Sequence, residues 1–398
     1  MKNMSKECRF VLECIRSTLT AHVLRDEMFS GIDFGKVCSL ASSHRVMGLV
    51  FSAVETFKEK LPQDVFEKMS SINKMMIMSS VARNGAIDEA ADVLKKNSID
   101  FVLFKGAVLQ NLYPEKYMRY SADTDILVRE KDYKKTPALF KELSYKFDSQ
   151  NDKHYVFQKK PYVCVEIHKK LVSSEEFFDD VWGNVEKDGE KLVLKKEFEL
   201  AYLLFHMAEN FIKTAGMGIH SVADIYLYLK TYGENLDKKL LDKYLDRLGL
   251  TEFFFHIKKL GEIWFDGKEY DEFYVDLSRY IFAGGRSGNA VNAASGKISS
   301  ERSLAKGKFT FLLSKLFLPY SQLKKIYPAL EKAPVLLPVF WGMRICGIVF
   351  RPEHRSYERA KIILKKTDKA SIENARKILQ KLNLEDKPYK RKDKNENA

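Results

Sequence analysis

The apolar spacing of this chain switches period near residue 98, and that switch bounds the folds open to it. From Lys2 to about residue 97 apolar residues recur every three or four positions, as in Val65, Met69, Ile72 and Met76, so a helical lead-in is expected. Ile99 to Phe104 is then a short apolar run ended by Lys105-Gly106, which predicts a buried strand entering a turn. A helix from Ala107 to about Tyr113 should follow, stopped by Pro114. A strand at Asp123 to Val128 and a helix to about Leu143 come next, with Thr136 as N-cap and Pro137 at the first helical position. His154 to Gln158 and Val163 to Lys169 flank Lys159-Lys160-Pro161 as a hairpin or two neighbouring strands. From Lys196 to about Phe282 the helical period returns, with no second sheet expected.

Length and composition fit a folded protein of two or three closely packed domains, since 398 residues with 45% hydrophobic content can bury a sizeable core. The net charge of +13 is confined to one end: residues 1–300 sum to zero and residues 301–398 carry all of it. That excludes a uniformly basic nucleic-acid coat. The five cysteines are scattered, with no C-x-x-C pair to suggest zinc or redox chemistry, and the N-terminus lacks the unbroken apolar core of a secretory signal. A cytoplasmic protein is expected, with a peripheral position at the inner membrane face as the variant. Ala333 to Phe350 approaches membrane length but is interrupted by Pro334, Pro338 and Arg344, so no spanning segment is expected.

Chemistry concentrates between residues 101 and 168. On a strand, residues two apart point the same way, so Asp123 and Asp125 share a face while Ile126 and Val128 take the other. Two carboxylates so spaced make an all-oxygen site that suits Mg²⁺, with Mn²⁺ as the variant. In Val163 to His168, Glu166 lies opposite its strand's apolar face; beside the Asp strand it would complete a triad able to hold two metal ions. The helix starting near Gly106 would turn its free N–H groups towards phosphate, glycine allowing close approach. Arg119 precedes two aspartates that repel each other and is expected to contact phosphate or brace Asp123. His168 is a candidate substrate contact, with packing at the site rim as the alternative.

These residues resemble the nucleotidyltransferase superfamily typified by DNA polymerase β, whose signature is a glycine turn before a helix, an Asp-x-Asp strand and a third acidic residue on a later strand. The sequence is more similar still to a bacterial family described only as uncharacterised nucleotidyltransferases. The matching motifs are Lys105-Gly106, Tyr113-Pro114, Arg119, Asp123 to Val128, and Val165-Glu166-Ile167-His168. Weaker likeness runs on through His206 and Asp224 to Tyr327-Pro328, Leu336-Leu337-Pro338, Trp341 and Arg344.

The resemblance implies an α+β fold. A small mixed-sheet nucleotidyltransferase core at 98–170 would be embedded between an N-terminal helical region, 1–97, and a larger C-terminal one. The latter divides into a helical domain at 171–283, a linker or mobile loop at 284–300, a basic helical region at 301–384 and a disordered tail at 385–398. The implied reaction is Mg²⁺-dependent transfer of an NMP from an NTP, with ATP the expected nucleotide, to an unknown acceptor. Asp123, Asp125 and Glu166 would be catalytic metal ligands, and Lys105, Gly106 and Arg119 would bind nucleotide. The chain departs from the superfamily at Lys105-Gly106-Ala107, where better-known members carry Gly-Gly-Ser or Gly-Ser.

Two alternatives stay open on sequence alone: a module of the same fold that binds without turnover, and a peripheral membrane enzyme of cell-surface glycan assembly. Aromatic residues interleave the basic end, which could suit nucleic acid or an anionic membrane surface. His206 and Asp224 are expected as a buried, hydrogen-bonded structural pair, and His44-Arg45 as a feature of a helix face. The Gly284 to Ser300 segment lacks the Lys-Ser/Thr ending of a P-loop, so a linker is expected there.

Overall fold

The computed structural model describes residues 4–20, 22–161, 163–173, 175–299, 301, 304–350 and 356–385. The lead-in folds as helices α1 (Lys6–Leu19), α2 (Phe34–Ser43), α3 (Met47–Val54) and the long α4 (Gln63–Lys96). The chain then alternates: β1 (Phe101–Phe104), α5 (Gly106–Leu109), β2 (Thr124–Val128), α6 (Glu130–Tyr133), α7 (Thr136–Glu142), β3 (Lys146–Gln150), β4 (His154–Lys159), β5 (Val163–His168), β6 (Val185–Asp188) and β7 (Lys191–Leu194). Helices α8 (Lys196–Thr214), α9 (Ile219–Tyr232), α10 (Lys238–Leu248), α11 (Thr251–Gly261) and α12 (Glu272–Gly284) form the next layer. After them come α13 (Ala290–Ser299), α14 (Leu304–Leu316), α15 (Tyr320–Ile326), α16 (Leu337–Phe350), α17 (Ser356–Lys366) and α18 (Lys369–Lys381).

The strands form one mixed sheet in the order β3-β4-β5-β2-β1-β7-β6. Two separate cores sit on its two faces. Ile126 and Val128 of β2 and Val165 and Ile167 of β5 pack on Ala86, Ala90 and Leu94 of α4 and Phe140 of α7. Val102, Phe104 and Leu127 point the other way, into the core built by α8, α9 and the lead-in helices. Burial of each such aliphatic side chain contributes roughly 1.5–3 kcal/mol, so the sheet is anchored from both sides.

The expected helix to Leu143 is two short helices. Pro137 has no N–H for the Tyr133 carbonyl, so the first helix ends there, and the Thr136 hydroxyl donates to that carbonyl at 2.8 Å instead of capping. Strands β3, β6 and β7 escape the apolar pattern because β3 is exposed throughout and β6 nearly so. Backbone pairing at the sheet edges, not side-chain burial, makes them strands.

The segment expected as a linker contains α13, with Ala294 and Ile298 buried. The Asn289 side chain caps it, accepting from the amides of Val291 (2.8 Å) and Asn292 (3.4 Å). Arg376 of α18 donates to the Ser299 and Glu301 carbonyls and ties the basic end to this helix. The apolar run from Ala333 yields only the 14-residue α16, and among the described residues no helix is long and apolar enough to cross a membrane. The five cysteines are free. The tail expected to be disordered lies outside the described residues from 386 on.

Candidate active site

The site is built where β2, β5 and β4 lie side by side. β2 and β5 run parallel with Asp125 opposite Glu166, and β4 pairs antiparallel with β5 so that His154 faces His168. Strand alternation then puts Asp125, Glu166, His168 and His154 on one face, with Asp123 just ahead of β2 on the same side. The structure thus brings Asp123, Asp125, Glu166 and His168 together.

Asp125 is almost fully buried, and its Oδ1 accepts from Lys105 Nζ at 2.7 Å. His168 Nε2 lies 3.0 Å from the same oxygen and 3.2 Å from Glu166 Oε2. Both neighbours are acceptors, so Nε2 carries the proton they share. His154 Nδ1 stands 3.5 Å from Glu166 Oε2. Burial alone would raise the Asp125 carboxyl pKa, but Lys105 and His168 hold it well below the usual carboxylate range. Burial likewise opposes ionisation of Glu166, but the hydrogen bond from His168 together with the His154 and His168 imidazoles outweighs it, so this carboxyl also falls below its ordinary value. Burial and the adjacent His168 push His154 down to about 4.

Lys105 has a φ of +52° and ends β1 in a sharp turn. A Cβ on Gly106 would come within 2.6 Å of Ser121 Oγ, so glycine is required for the 119–123 loop to close over this turn. The helix that follows, Gly106–Leu109, continues as a 3-10 turn over Gln110–Leu112, close to the span expected of it. Ser121 Oγ donates to Asp123 Oδ1 at 3.0 Å, placing a serine hydroxyl next to Gly106 although Ala107 follows in the chain.

Arg119 makes no hydrogen bond to Asp123 among the described residues, although it lines the same cavity. Its Nε and Nη2 bind both oxygens of Asp224 at 2.7–3.0 Å, and its Nη1 donates to the Tyr120 carbonyl. A buried guanidinium needs a carboxylate, and Asp224, which also accepts from Tyr113 OH at 2.7 Å, supplies it. Asp224 is therefore not paired with His206. That histidine stacks on Tyr202, hydrogen-bonds Asn210, and is pushed down to about 3 by burial and the nearby Lys105.

Two cavities meet here. The smaller, about 300 Å³, is lined by Asp123, Asp125 and Asp224 together with Lys105, Arg119, Arg45 and Arg286. The larger, about 890 Å³, opens beside Ala122 and Cys164 between the sheet edge and α4. Met47, Met75, Met76 and Phe147 wall it, with Lys146 and Lys160 at its rim. Arg45 lines both. No site role was expected of His154, Asp224, Arg45 or Arg286, although Asp224 was expected to be buried and hydrogen-bonded. Hairpin register about Lys160-Pro161 could have found His154, but nothing local places the other three on one cavity.

A family described as uncharacterised nucleotidyltransferase matches residues 30–266. The chain belongs to that family. The matched span takes in Arg45, the whole sheet and Asp224, and stops before Arg286, so this nucleotidyltransferase carries part of its cavity wall outside the family match. A solved structure, that of the antibiotic-resistance factor ANT(2'')-Ia in solution, is similar at 10% identity and a TM-score of 0.33, covering 43% of this chain and 95% of the other. No curated protein matches the chain significantly.

Proposed function

We propose that this nucleotidyltransferase is metal-dependent and transfers a nucleoside monophosphate from an NTP to a hydroxyl of its acceptor, with ATP the first nucleotide to test. The observation that carries the proposal is the register of β2 on β5, which sets Asp125 beside Glu166 with Asp123 two residues away on the same face. The donor set fits a divalent cation. Asp123 and Asp125 each keep Oδ2 free of hydrogen bonds among the described residues, and ligand atoms of His154, Glu166 and His168 lie within 4.8 Å of one another. Asp123, Asp125 and Glu166 would hold Mg²⁺ or Mn²⁺, which supplies positive charge against the phosphates and acidifies the attacking hydroxyl. The neighbouring imidazoles favour Mn²⁺ as the more tightly bound ion.

In this reading the acceptor oxygen attacks the α-phosphorus, the bond from phosphorus to the bridging oxygen breaks, and pyrophosphate leaves. Glu166, kept ionised by His168, takes the acceptor's proton. Lys105 keeps Asp125 charged, and His168 fixes the Asp125 and Glu166 oxygens relative to each other. The acceptor belongs in the larger cavity, whose apolar wall and lysine rim suit a molecule with an apolar body and an anionic group.

The test is incubation of the full chain with each labelled NTP, Mg²⁺ or Mn²⁺ and cell extract, comparing wild type with Asp123→Ala. Metal-dependent label transfer and pyrophosphate release that vanish in the variant are expected. Transfer that persists in Asp123→Ala, or that is missing from the wild type, removes the proposal.

A further inference from the structure

We propose that Arg45 and Arg286 form a clamp for the polyphosphate part of the nucleotide, held in place by the lacing of three segments that are far apart in sequence. It rests on the nucleotidyltransferase reading above and deepens it. The smaller cavity contains four cationic and three carboxylate side chains, and two internal pairs, Lys105–Asp125 and Arg119–Asp224, account for most of that charge. What is left is Asp123 on one side and Arg45 with Arg286 on the other. An anionic chain reaching from Asp123 and its cation towards the two arginines would complete the balance.

Arg45 differs from the other arginines near the site. Arg83 donates to the Ser121 carbonyl and to Gln110 Oε1, and Arg119 grips Asp224. The Arg45 guanidinium has the Tyr120 ring at 5.2 Å and, among the described residues, no hydrogen-bond acceptor. Its backbone sits at a φ of +57°, a conformation that disfavours any side chain. Burial, then the nearby Arg286, lowers its pKa to about 10, so the two guanidinium groups repel each other directly. A half-buried, strained cation facing a second cation gains most from an anion between them.

The fold fixes this geometry from the backbone. Arg286 N donates to the Ser43 carbonyl at 3.0 Å. His44 Nδ1 accepts from Ile219 N at 3.3 Å, which leaves Nε2 to donate to the Phe282 carbonyl at 3.2 Å, and His220 Nδ1 reaches the His44 carbonyl at 3.0 Å. Segments 43–46, 216–220 and 282–288 are thereby joined. Glycine is needed where they touch: a Cβ on Gly216 would lie 2.6 Å from the Arg286 carbonyl, and Gly288, at a φ of +82°, packs on the Thr214 carbonyl. The glycine-rich stretch ahead of α13 is the mount for Arg286.

The probe is inorganic tripolyphosphate, titrated calorimetrically into the full chain without metal, in parallel with the KM for NTP and the inhibition constant of pyrophosphate. Arg45→Ala and Arg286→Ala are each expected to weaken tripolyphosphate about 10-fold or more and to raise KM and the pyrophosphate inhibition constant alike, with kcat changed less. Lysine at either position should restore part of the affinity. Because Arg286 is exposed, its variant retains the fold, and thermal melting checks Arg45→Ala. Tripolyphosphate binding and KM unchanged in both variants would assign the anion to the basic residues beyond 301 and overturn the clamp, even with Asp123-dependent turnover intact. Arginine-dependent tripolyphosphate binding without nucleotidyl transfer would keep the clamp and remove the reaction.

Discussion

Two buried ion pairs line the smaller cavity and are built in opposite ways. In Arg119–Asp224 both carboxylate oxygens are engaged, by three guanidinium contacts and the Tyr113 hydroxyl. In Lys105–Asp125 one oxygen takes both the ammonium and His168, and the other has no hydrogen bond among the described residues. A saturated carboxylate holds segments together, here the 119–123 loop to α9. An unsaturated one, on a strand with Glu166 beside it, leaves an oxygen free for the cation proposed above.

The largest expected effect tests the reactive side of this contrast. Asp123→Asn should cut metal-dependent pyrophosphate release by ~10³-fold, equivalent to ~4 kcal/mol, while leaving the melting temperature near that of wild type. Equal loss of stability and activity would give Asp123, two residues ahead of Asp125, a structural role like that of Asp224. Next comes Arg119→Ala, which strands Asp224 without its cation. It should destabilise the protein by about 3–5 kcal/mol in urea unfolding, and a change within ~1 kcal/mol would show that this pair is not structural.

Lys105→Met probes the mixed case and should lower neutral-pH stability by about 1–3 kcal/mol. The folded Asp125 carboxyl lies below its unfolded value, so its stabilisation is present above the unfolded pKa and lost as pH falls towards the folded one. Without Lys105 only His168 is left to oppose burial and the folded pKa rises, so acid unfolding should begin at higher pH. An unmoved acid limb in urea melts run across pH would show that Lys105 does not hold Asp125 ionised. Smallest is Asp100→Ala, which removes an exposed pair with Arg129 at 2.9 Å; it should change stability by less than ~1 kcal/mol in urea unfolding.

Much of the core was legible because it is local. The apolar run before Lys105-Gly106, the alternation in Asp123 to Val128 and the hairpin about Lys160-Pro161 each follow from backbone periods of two and from turn residues. Edge strands such as β3 were not legible, since pairing there depends on a neighbour and not on burial. The 284–300 stretch misled by composition: its glycines serve close backbone approach, and its alanines build a helix. Arg119 was placed beside Asp123 by sequence and does line the same cavity, but its carboxylate partner, Asp224, came only from packing.

The sequence by itself determined which strand carries the carboxylates and which side of it faces the core, since side-chain alternation leaves no other choice once Ile126, Val128, Val165 and Ile167 are buried. The tertiary structure alone decided that β5 lies parallel to β2 and that Arg45 and Arg286, far apart in the chain, line the same cavity. Those contacts depend on how elements distant in the chain come to lie side by side, and no local pattern encodes such a partner.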